Sequence, residues 1–212
     1  MADVELFFDP ICPWAWITSR WVVEVARLRD LDVRWRFICL SLVNKDKDYA
    51  TEFPPGYPVF HGRGQEALRI AAAVRAAHGD EGVGSWYTAI GTTIHIDRDR
   101  DELFDDPMPV WNAALDSAGL PRALAAEAND TSHDILLQAE TDEALSRTGK
   151  DVGTPIITFG DPALGHSFFG PVISKAPKGD EALALWDAIA ALAAHDGFAE
   201  LKRSIRQRPD FG

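Results

Sequence analysis

Strand-forming segments are confined to the two ends of this chain. Residues 4–9 and 31–43 near the start, and 154–160 and 164–170 near the end, are rich in β-branched and aromatic side chains. The long stretch between them has Ala-rich and amphipathic runs but no convincing strand. Since the strands at both ends need a common sheet, the sequence predicts an α/β fold interrupted by a large all-helical insertion.

The N-terminal segments have the pattern of a β-α-β unit. Between the two strands, apolar side chains recur every three or four residues, as on one helix face: Ile17, Trp21, Val25 and Leu28. Pro13 suits the first turn of this helix, where a missing N–H costs nothing. The two strands are expected to be parallel, with a right-handed connection.

The helical insertion and the C-terminal half complete the predicted organisation. The turn at 160–165 predicts an antiparallel hairpin. We expect a β-α-β half at 1–43, a helical insertion at 44–150 and a β-β-α half at 151–212. Residues 44–62 are predicted to form a Pro/Gly/Asp-rich loop, and helices are predicted over 63–79, 83–97, 109–120, 132–149, 179–197 and 198–208.

Composition excludes several classes of function. A formal net charge of −12 argues against nucleic acid or an anionic membrane as the main partner. No apolar run is long enough to span a bilayer, and the first residues lead into a strand rather than a secretory leader. With only Cys12 and Cys39, no disulfide framework is available, so we expect a reducing, cytoplasmic location.

Cys12 stands where the first strand gives way to the helix. Helix N-terminal N–H groups and the helix dipole stabilise a thiolate there and lower the pKa of a thiol. Pro10 and Pro13 restrict the loop, while Trp14 and Trp16 could wall it, and we expect Trp16 to contact a bound ligand. A buried cysteine acting as a small apolar residue is the alternative. The strand–Cys–Pro–helix placement favours a reactive thiol.

Two proline junctions in the C-terminal half can approach Cys12. Pro155 opens the third strand, where proline cannot donate to the ladder, and a cis Thr154–Pro155 bond would turn the Thr154 backbone toward a neighbouring site. An ordinary trans proline is the commoner alternative, but the combination with Cys12 favours cis. Gly170–Pro171, after the fourth strand, could bring backbone N–H groups to the same place.

These motifs, in this order around a helical insertion, resemble the DsbA-like branch of the thioredoxin superfamily. The segments FFDPICPWAWITSRW, DVGTP and FFGPV carry the resemblance, with AHG, SAGLP, LWDA and ELKR extending it over nearly the whole chain. More narrowly, the chain resembles the actinobacterial mycothiol-dependent nitroreductases, relatives of the FrnE-type proteins. The resemblance implies a thioredoxin-like fold, mycothiol as the electron-donating thiol, and no flavin.

The resemblance also implies roles for individual residues. Cys12 matches the nucleophilic cysteine of the family's Cys-Pro-Trp-Cys motif, with Pro13 and Trp14 as the intervening pair. Thr154–Pro155 matches the cis-proline loop that holds thiol substrates in an extended, backbone-paired manner. Asn44 falls where the family places a polar residue near the site.

Ala15 departs from the family motif, which has its second cysteine at this position. A dithiol site closes an internal disulfide, whereas Cys12 alone forms a mixed disulfide or sulfenic acid that mycothiol or a mycoredoxin must resolve. Ala15 is either a natural divergence or an engineered Cys→Ala change. Cys39 is predicted on the second strand, beside Trp35 and Phe37, as a buried core thiol rather than a replacement partner.

The leading functional hypothesis is a monothiol, mycothiol-dependent reductase of small electrophiles such as nitroaromatics, or of mycothiol mixed disulfides. A second is a thiol-conjugate isomerase or transferase, like the 2-hydroxychromene-2-carboxylate isomerase and kappa-class glutathione transferase relatives, which lack a second redox cysteine. A third is a non-catalytic binder of a small molecule or a protein. A monomer and a homodimer are both compatible with the sequence.

Other polar and aromatic residues are further candidates. The six histidines do not pair at metal-ligand spacing, so no metal site is predicted. Tyr57 and His61 lie on a predicted loop that could form a lid, with Tyr57 contacting substrate. His61 and His95 could reach the cleft from the insertion, and Lys175 and Lys178 could attract a carboxylated or sugar-bearing thiol. Capping histidines and solvated lysines are the commoner alternatives.

Overall fold

The computed structural model describes residues 2–97, 100–203, 205 and 207–211. Within them the strands are β1 (Val4–Phe8), β2 (Val33–Phe37), β3 (Ile156–Phe159) and β4 (Ser167–Phe169). They form one mixed sheet in the order β2-β1-β3-β4. β1 is parallel to β2, while the β1–β3 and β3–β4 pairs are antiparallel. The predicted common sheet, parallel β-α-β unit and C-terminal hairpin are confirmed.

Helix α1 (Pro13–Arg29) connects β1 to β2 and carries Cys12 as its N-cap. The buried face of this helix packs against α8 (Gly179–Ala193). The indole N–H of Trp21 donates to the Ala182 carbonyl at 2.9 Å across this contact. Since α8 follows the hairpin in the chain, this packing joins the helix behind Cys12 to the C-terminal half.

Helices fill the chain between β2 and β3. The long helix α4 (Tyr57–Thr92) is interrupted at Gly79, whose φ of 68° and ψ of −166° are not helical. This break agrees with the prediction of separate helices on either side of that residue. None of the described helices combines the length and apolar character needed to cross a membrane. The remaining elements are α2 (Leu40–Val43), α3 (Tyr49–Glu52), a π-helical turn (Thr93–Asp97), α5 (Arg100–Asp105), α6 (Pro107–Ser117), α7 (Asp134–Thr148), and 3-10 turns at Arg122–Asn129, Thr131–His133 and Pro162–Leu164.

The prediction of one loop over residues 44–62 is wrong. Helix α3 lies within this segment, and α4 already begins at Tyr57. The side chain of Asp48 accepts the Ala50 N–H at 3.0 Å, so this polar residue caps α3. The Asp, Pro and Gly residues that suggested a loop are therefore partly helix-terminal residues.

The predicted helix over 198–208 is also wrong, because the residues described there form none. The Phe198 ring packs on β4, with its centroid 5.5 Å from that of Phe168. Further on, the Asp210 N–H donates to the Ser174 carbonyl at 2.6 Å. Contacts with distant residues decide this conformation and override the local helical pattern.

An aromatic cluster joins the sheet to the helical insertion. Phe8 stacks on Tyr87 with ring centroids 3.9 Å apart, and Trp16 and Trp35 meet the same tyrosine ring edge-on. Gly91 permits this approach, since a Cβ atom there would lie 2.2 Å from the Trp16 ring. The insertion thus packs into the core that the sheet also lines. The division of the chain after residues 43 and 150 stays a prediction.

Candidate active site

Cys12 lies at the N-terminus of α1, close to the segment that enters β3. Its thiol donates to the Thr154 carbonyl oxygen at 3.4 Å, and its sulfur accepts the Ala15 N–H at 3.5 Å. The Cys12 N–H bonds to the Asp9 carbonyl at 3.0 Å, which closes a tight turn after β1. Pro13 then starts the helix. The structure thus brings together the two motifs that sequence analysis expected to meet.

The Thr154–Pro155 peptide bond is cis, as predicted. Thr154 is buried, and its hydroxyl donates to the Phe7 carbonyl at 3.2 Å. Its own carbonyl oxygen faces the Cys12 thiol. Contacts on both sides therefore hold the Thr154 backbone against the site.

Gly170–Pro171 lies beside the same segment but makes different contacts from those expected. Its peptide bond is also cis. The Gly170 N–H donates to the Pro155 carbonyl at 2.8 Å, and the Pro171 carbonyl accepts the Thr18 hydroxyl of α1 at 2.7 Å. The Gly170 N–H is thus bonded to Pro155 rather than available to Cys12.

Asp9 is a site residue that the sequence analysis missed. Its carboxylate is fully buried and accepts the Ile11 N–H at 3.2 Å and the Leu40 N–H at 2.8 Å. Burial raises the pKa of this carboxyl to about 7, while the two N–H groups lower it. An acidic residue between an aromatic strand and Pro10 was the available signal.

Burial dominates the electrostatics of Cys12, which is 7% exposed. Burial raises the pKa of its thiol to about 12, although the Ala15 and Trp14 N–H groups lower it, and the charge of Asp9 raises it further. The helix N-terminus acts in the predicted direction, but removing a thiolate from water costs more. The prediction of a lowered pKa is therefore wrong for this closed site.

The family model described as mycothiol-dependent nitroreductase Rv2466c matches residues 11–203, which include Cys12 and Thr154–Pro155. The chain belongs to the Rv2466c-like family. It is also 30% identical to the uncharacterized protein Rv2286c of Mycobacterium tuberculosis over 207 residues, or 96% of this chain and 82% of that protein.

The fold of this Rv2466c-like protein is similar to a solved structure. A crystal structure of a candidate protein-disulfide isomerase from Pseudomonas syringae matches with a TM-score of 0.54 and 17% identity, covering 88% of this chain and 92% of that one. Identity this low supports an argument about fold alone. With the sheet order above, the match confirms the predicted DsbA-like, thioredoxin-like α/β fold with a helical insertion.

In this Rv2466c-like chain, the residues after Cys12 divide between the site and the core. Ala15 is fully buried and presents its N–H to the Cys12 sulfur. Trp14 is partly buried against the core. Trp16 is only 2% exposed, and the Arg20 guanidinium covers its ring at 4.1 Å. Trp16 therefore supports the loop from within, and its burial argues against the predicted contact with a ligand.

Cys39 lies elsewhere than predicted. It follows the end of β2 and is the N-cap of α2, so its placement on the strand is wrong. Its N–H donates to the Thr141 hydroxyl at 3.0 Å, and the residue is fully buried. Burial raises the pKa of its thiol to about 12. Both cysteines are free, and the prediction of a buried core thiol is confirmed.

The structure does not bring Asn44 and Tyr57 to the thiol. Asn44 ends α2, where its side-chain amide donates to a carbonyl of that helix at 2.8 Å. Tyr57 starts α4 rather than lying on a loop, and its ring packs against His61. His61 itself pairs with the Tyr49 hydroxyl at 2.7 Å. Among the contacts of the described residues, none joins Asn44 or Tyr57 to Cys12.

His95 does reach the site from the insertion. Its Nε2 atom donates to the Pro10 carbonyl at 2.8 Å. Its ring stacks on Trp16, at a centroid distance of 5.8 Å, and on Phe211, at 5.6 Å. The C-terminal segment, through Phe211, therefore contacts the histidine that is hydrogen-bonded to the Cys12 loop. Lys175 forms an ion pair with this segment at 3.2 Å.

Other hollows and polar clusters lie apart from the thiol. A groove of about 450 Å³ lies between α3 and α4, and another of about 520 Å³ lies along the second half of α4; neither is lined by Cys12. Glu127, Asp130 and His133 place one potential metal-ligand atom each within 4.8 Å of one another. In this structure His133 pairs with Glu127 at 2.8 Å. These groups form no part of the thiol site.

Proposed function

We propose that this protein is a mycothiol-dependent oxidoreductase that works by a monothiol mechanism through Cys12. The observation that carries the proposal is the position of the sulfur, between the Ala15 N–H and the Thr154 carbonyl oxygen. Free, buried thiols suit a reducing compartment, so we place the protein in the cytoplasm. Membership of the family supports mycothiol as the reducing thiol.

The first chemical step is displacement at sulfur. The Cys12 thiolate attacks the mycothiol sulfur of a mixed disulfide, so that a Cys12–mycothiol disulfide forms and the other sulfur leaves as a thiolate. A second mycothiol, or a mycoredoxin thiol, then attacks the mycothiol sulfur of this adduct. That attack releases Cys12 as a thiolate and yields a second disulfide, and the electrons balance.

The backbone groups around the sulfur suit these displacements. Negative charge returns to Cys12 when it leaves in the second step, and the Ala15 N–H is placed to stabilise it. The Thr154 carbonyl can accept an N–H from an extended thiol ligand once the Cys12 thiol no longer occupies it. Pro155 and Gly170–Pro171 form the neighbouring backbone. In this proposal main-chain groups bind the ligand, and they recognise an N–H group of an extended thiol rather than its side groups.

Nitroaromatics and similar small electrophiles are the oxidising substrates we propose, in line with the description of the matched family. Reduction of a nitro to a nitroso group takes two electrons and two protons and releases water. One Cys12 thiol and one mycothiol thiol supply them and become a mixed disulfide, which a second thiol reduces. Ala15 makes this external resolution necessary, since no second thiol follows in the helix.

An isomerase or transferase acting on thiol conjugates is the second candidate. It is favoured by one observation: the Cys12 thiol is buried beside Ala15, and this burial raises its pKa to about 12. Such an enzyme needs no disulfide at Cys12, and its activity should survive Cys12→Ser. A reductase that forms a mixed disulfide loses activity completely with the same change.

The test is the intact mass of the protein after incubation with mycothiol disulfide. The proposal predicts one mycothiol adduct on the parent and on Cys39→Ser, and none on Cys12→Ser. A parent protein that remains unmodified would refute the monothiol mechanism. Nitroreduction coupled to mycothiol oxidation, measured on the same three proteins, then tests the substrate class.

A further inference from the structure

Asp9 is a buried acid that the proposed cycle does not use. The two oxygens of its carboxylate accept backbone N–H groups from different elements, Ile11 in the Cys12 loop and Leu40 at the start of α2. Within the described part of the chain it has no cationic partner, and its hydrogen bonds come from backbone alone. A buried charge without a counter-ion is unusual, because carboxylates are normally paired when they leave water.

The same residue holds the reactive cysteine in place. Its backbone carbonyl accepts the Cys12 N–H at 3.0 Å, while its side chain holds the Leu40 N–H. The Leu40 side chain lies within 3.9 Å of the position that a Cβ atom would take at Gly153, next to Thr154. Asp9 therefore contacts the Cys12 loop on one side of the sulfur. On the other side it contacts α2, which lies beside the segment that contains Thr154.

Helix α4 packs against the carboxylate at Gly64. A Cβ atom added at Gly64 would lie 2.7 Å from Asp9 Oδ1 and 3.0 Å from Ile11 Cγ1, so the helix backbone presses against both residues. The Asp9 side chain is fully buried, so its charge acts on neighbouring groups through a medium of low dielectric constant. The glycine at this position gives the carboxylate its room.

We propose that Asp9 is a positioning residue that controls the reactivity of Cys12: its carboxyl group fixes the Cys12 loop to α2, and its negative charge opposes formation of the thiolate. This inference rests on the proposed role of Cys12 as the nucleophile. It adds a regulating group to that role, because protonation of Asp9 removes the opposing charge.

The titration of the neighbouring groups supports this control. Burial is the main cause of the raised pKa values of Cys12, of Cys39 on the α2 side, of Tyr49 on α3 and of Tyr87 on α4, and the charge of Asp9 raises each of them further. Burial raises the pKa of Asp9 itself to about 7. Both of its charge states are therefore populated near neutral pH.

The experiment is the rate of Cys12 alkylation by iodoacetamide between about pH 5 and about pH 9.5, with peptide mass spectrometry separating Cys12 from Cys39. In the parent, the logarithm of the rate should rise linearly with pH at both ends of this range. Near pH 7, where Asp9 ionises, the profile should step down by about one logarithmic unit from the line followed at lower pH. Asp9→Asn should lack this step. It should react about tenfold faster than the parent above pH 8 and equally fast below pH 6.

The conservative variant Asp9→Glu retains the charge and should retain the step. An Asp9→Asn rate that differs from the parent by the same factor at every pH, or not at all, overturns the inference. If Asp9→Asn fails to fold, the pH profile of the parent is a sufficient test, because a single straight line without a step near neutral pH contradicts the proposal. Failure of the proposed function is distinguishable, since it appears as a missing mycothiol adduct whatever the alkylation profile.

Discussion

The thiol of Cys12 donates to the carbonyl oxygen of Thr154 at 3.4 Å, although 142 residues separate them in the chain. A carbonyl oxygen accepts a hydrogen bond from a thiol but repels a thiolate, so this contact favours the neutral form. The Ala15 N–H acts in the opposite sense. Burial adds to the effect of the carbonyl and raises the pKa of the thiol to about 12, so the neutral thiol is the resting form. A ligand that occupies the Thr154 carbonyl should favour its ionisation.

Ala15→Cys should convert the monothiol site into a dithiol site. The introduced thiol would stand in the first turn of α1, where the residue 15 N–H already lies 3.5 Å from the Cys12 sulfur. It should attack the Cys12–mycothiol adduct, because the reaction within one site has a high effective concentration. The adduct lifetime, followed by intact mass, should fall about tenfold or more.

Ala15→Ser is the matched control for that change, since it adds a similar volume without a redox-active atom. Its adduct should last as long as that of the parent. Equal adduct lifetimes in the Cys and Ser variants would contradict the prediction.

Phe211→Ala should make Cys12 more accessible. The Phe211 ring stacks on His95, which in turn holds the Pro10 carbonyl beside the thiol loop. Removing the ring takes away a packing contact of His95 and should make the Cys12 loop open more often, so alkylation of Cys12 should accelerate about three- to tenfold. Phe198→Ala serves as control, because it also removes a C-terminal aromatic ring, but one that packs on Phe168 of β4 rather than on His95. Identical rates in both variants would count against a covering role for Phe211.

Gly91→Ala should destabilise the fold. A Cβ atom there would lie 2.2 Å from the Trp16 ring, which is buried and cannot move aside freely. We expect the free energy of unfolding to fall by about 1–3 kcal/mol, as measured by urea denaturation. Gly62→Ala, on the same helix with open space around it, should instead gain about 0.5–1 kcal/mol. A higher free energy of unfolding in both variants would contradict the prediction for Gly91, since it would show that the Trp16 ring moves aside at little cost.

Stability should depend on pH through Asp9. Burial raises the pKa of its carboxyl from 3.8 to about 7 in the folded chain, so the folded state binds the proton more tightly than the unfolded state. This contribution is complete below about pH 4 and is lost as pH rises through 7. The loss is on the order of 4 kcal/mol.

Asp9→Asn cannot titrate at this position. The difference in unfolding free energy between the parent and this variant should therefore change across that pH range, as measured by chemical denaturation at several pH values. A difference that stays constant with pH would exclude a raised pKa for Asp9.

Local patterns in the sequence were sufficient to predict the architecture. Strand character at both ends, with amphipathic helices between them, leaves one shared sheet as the arrangement that pairs every strand. The Cys12–Pro13 junction predicted a cysteine at a helix N-terminus, and the motif around Pro155 predicted the cis bond; both are present.

Predictions that depended on distant neighbours were less successful. Tyr57 looked like a loop residue because glycine and proline precede it, yet it begins a long helix. The segment after residue 197 has a helical pattern, but contacts with β4 and Ser174 hold it in another conformation. Asp9 gave little local indication of its role, since the donors that bind it include Leu40, which is far along the chain.

The sequence by itself determined where the thiol stands and that it lacks a partner at Ala15, because a strand, a proline and a helix stripe are local features. Only the tertiary structure decided the acidity of Cys12. The N–H groups at the start of α1 lower its pKa, as the sequence predicted. Burial against segments far away in the chain, however, raises that pKa to about 12, because the cost of a buried thiolate depends on everything that excludes water from it.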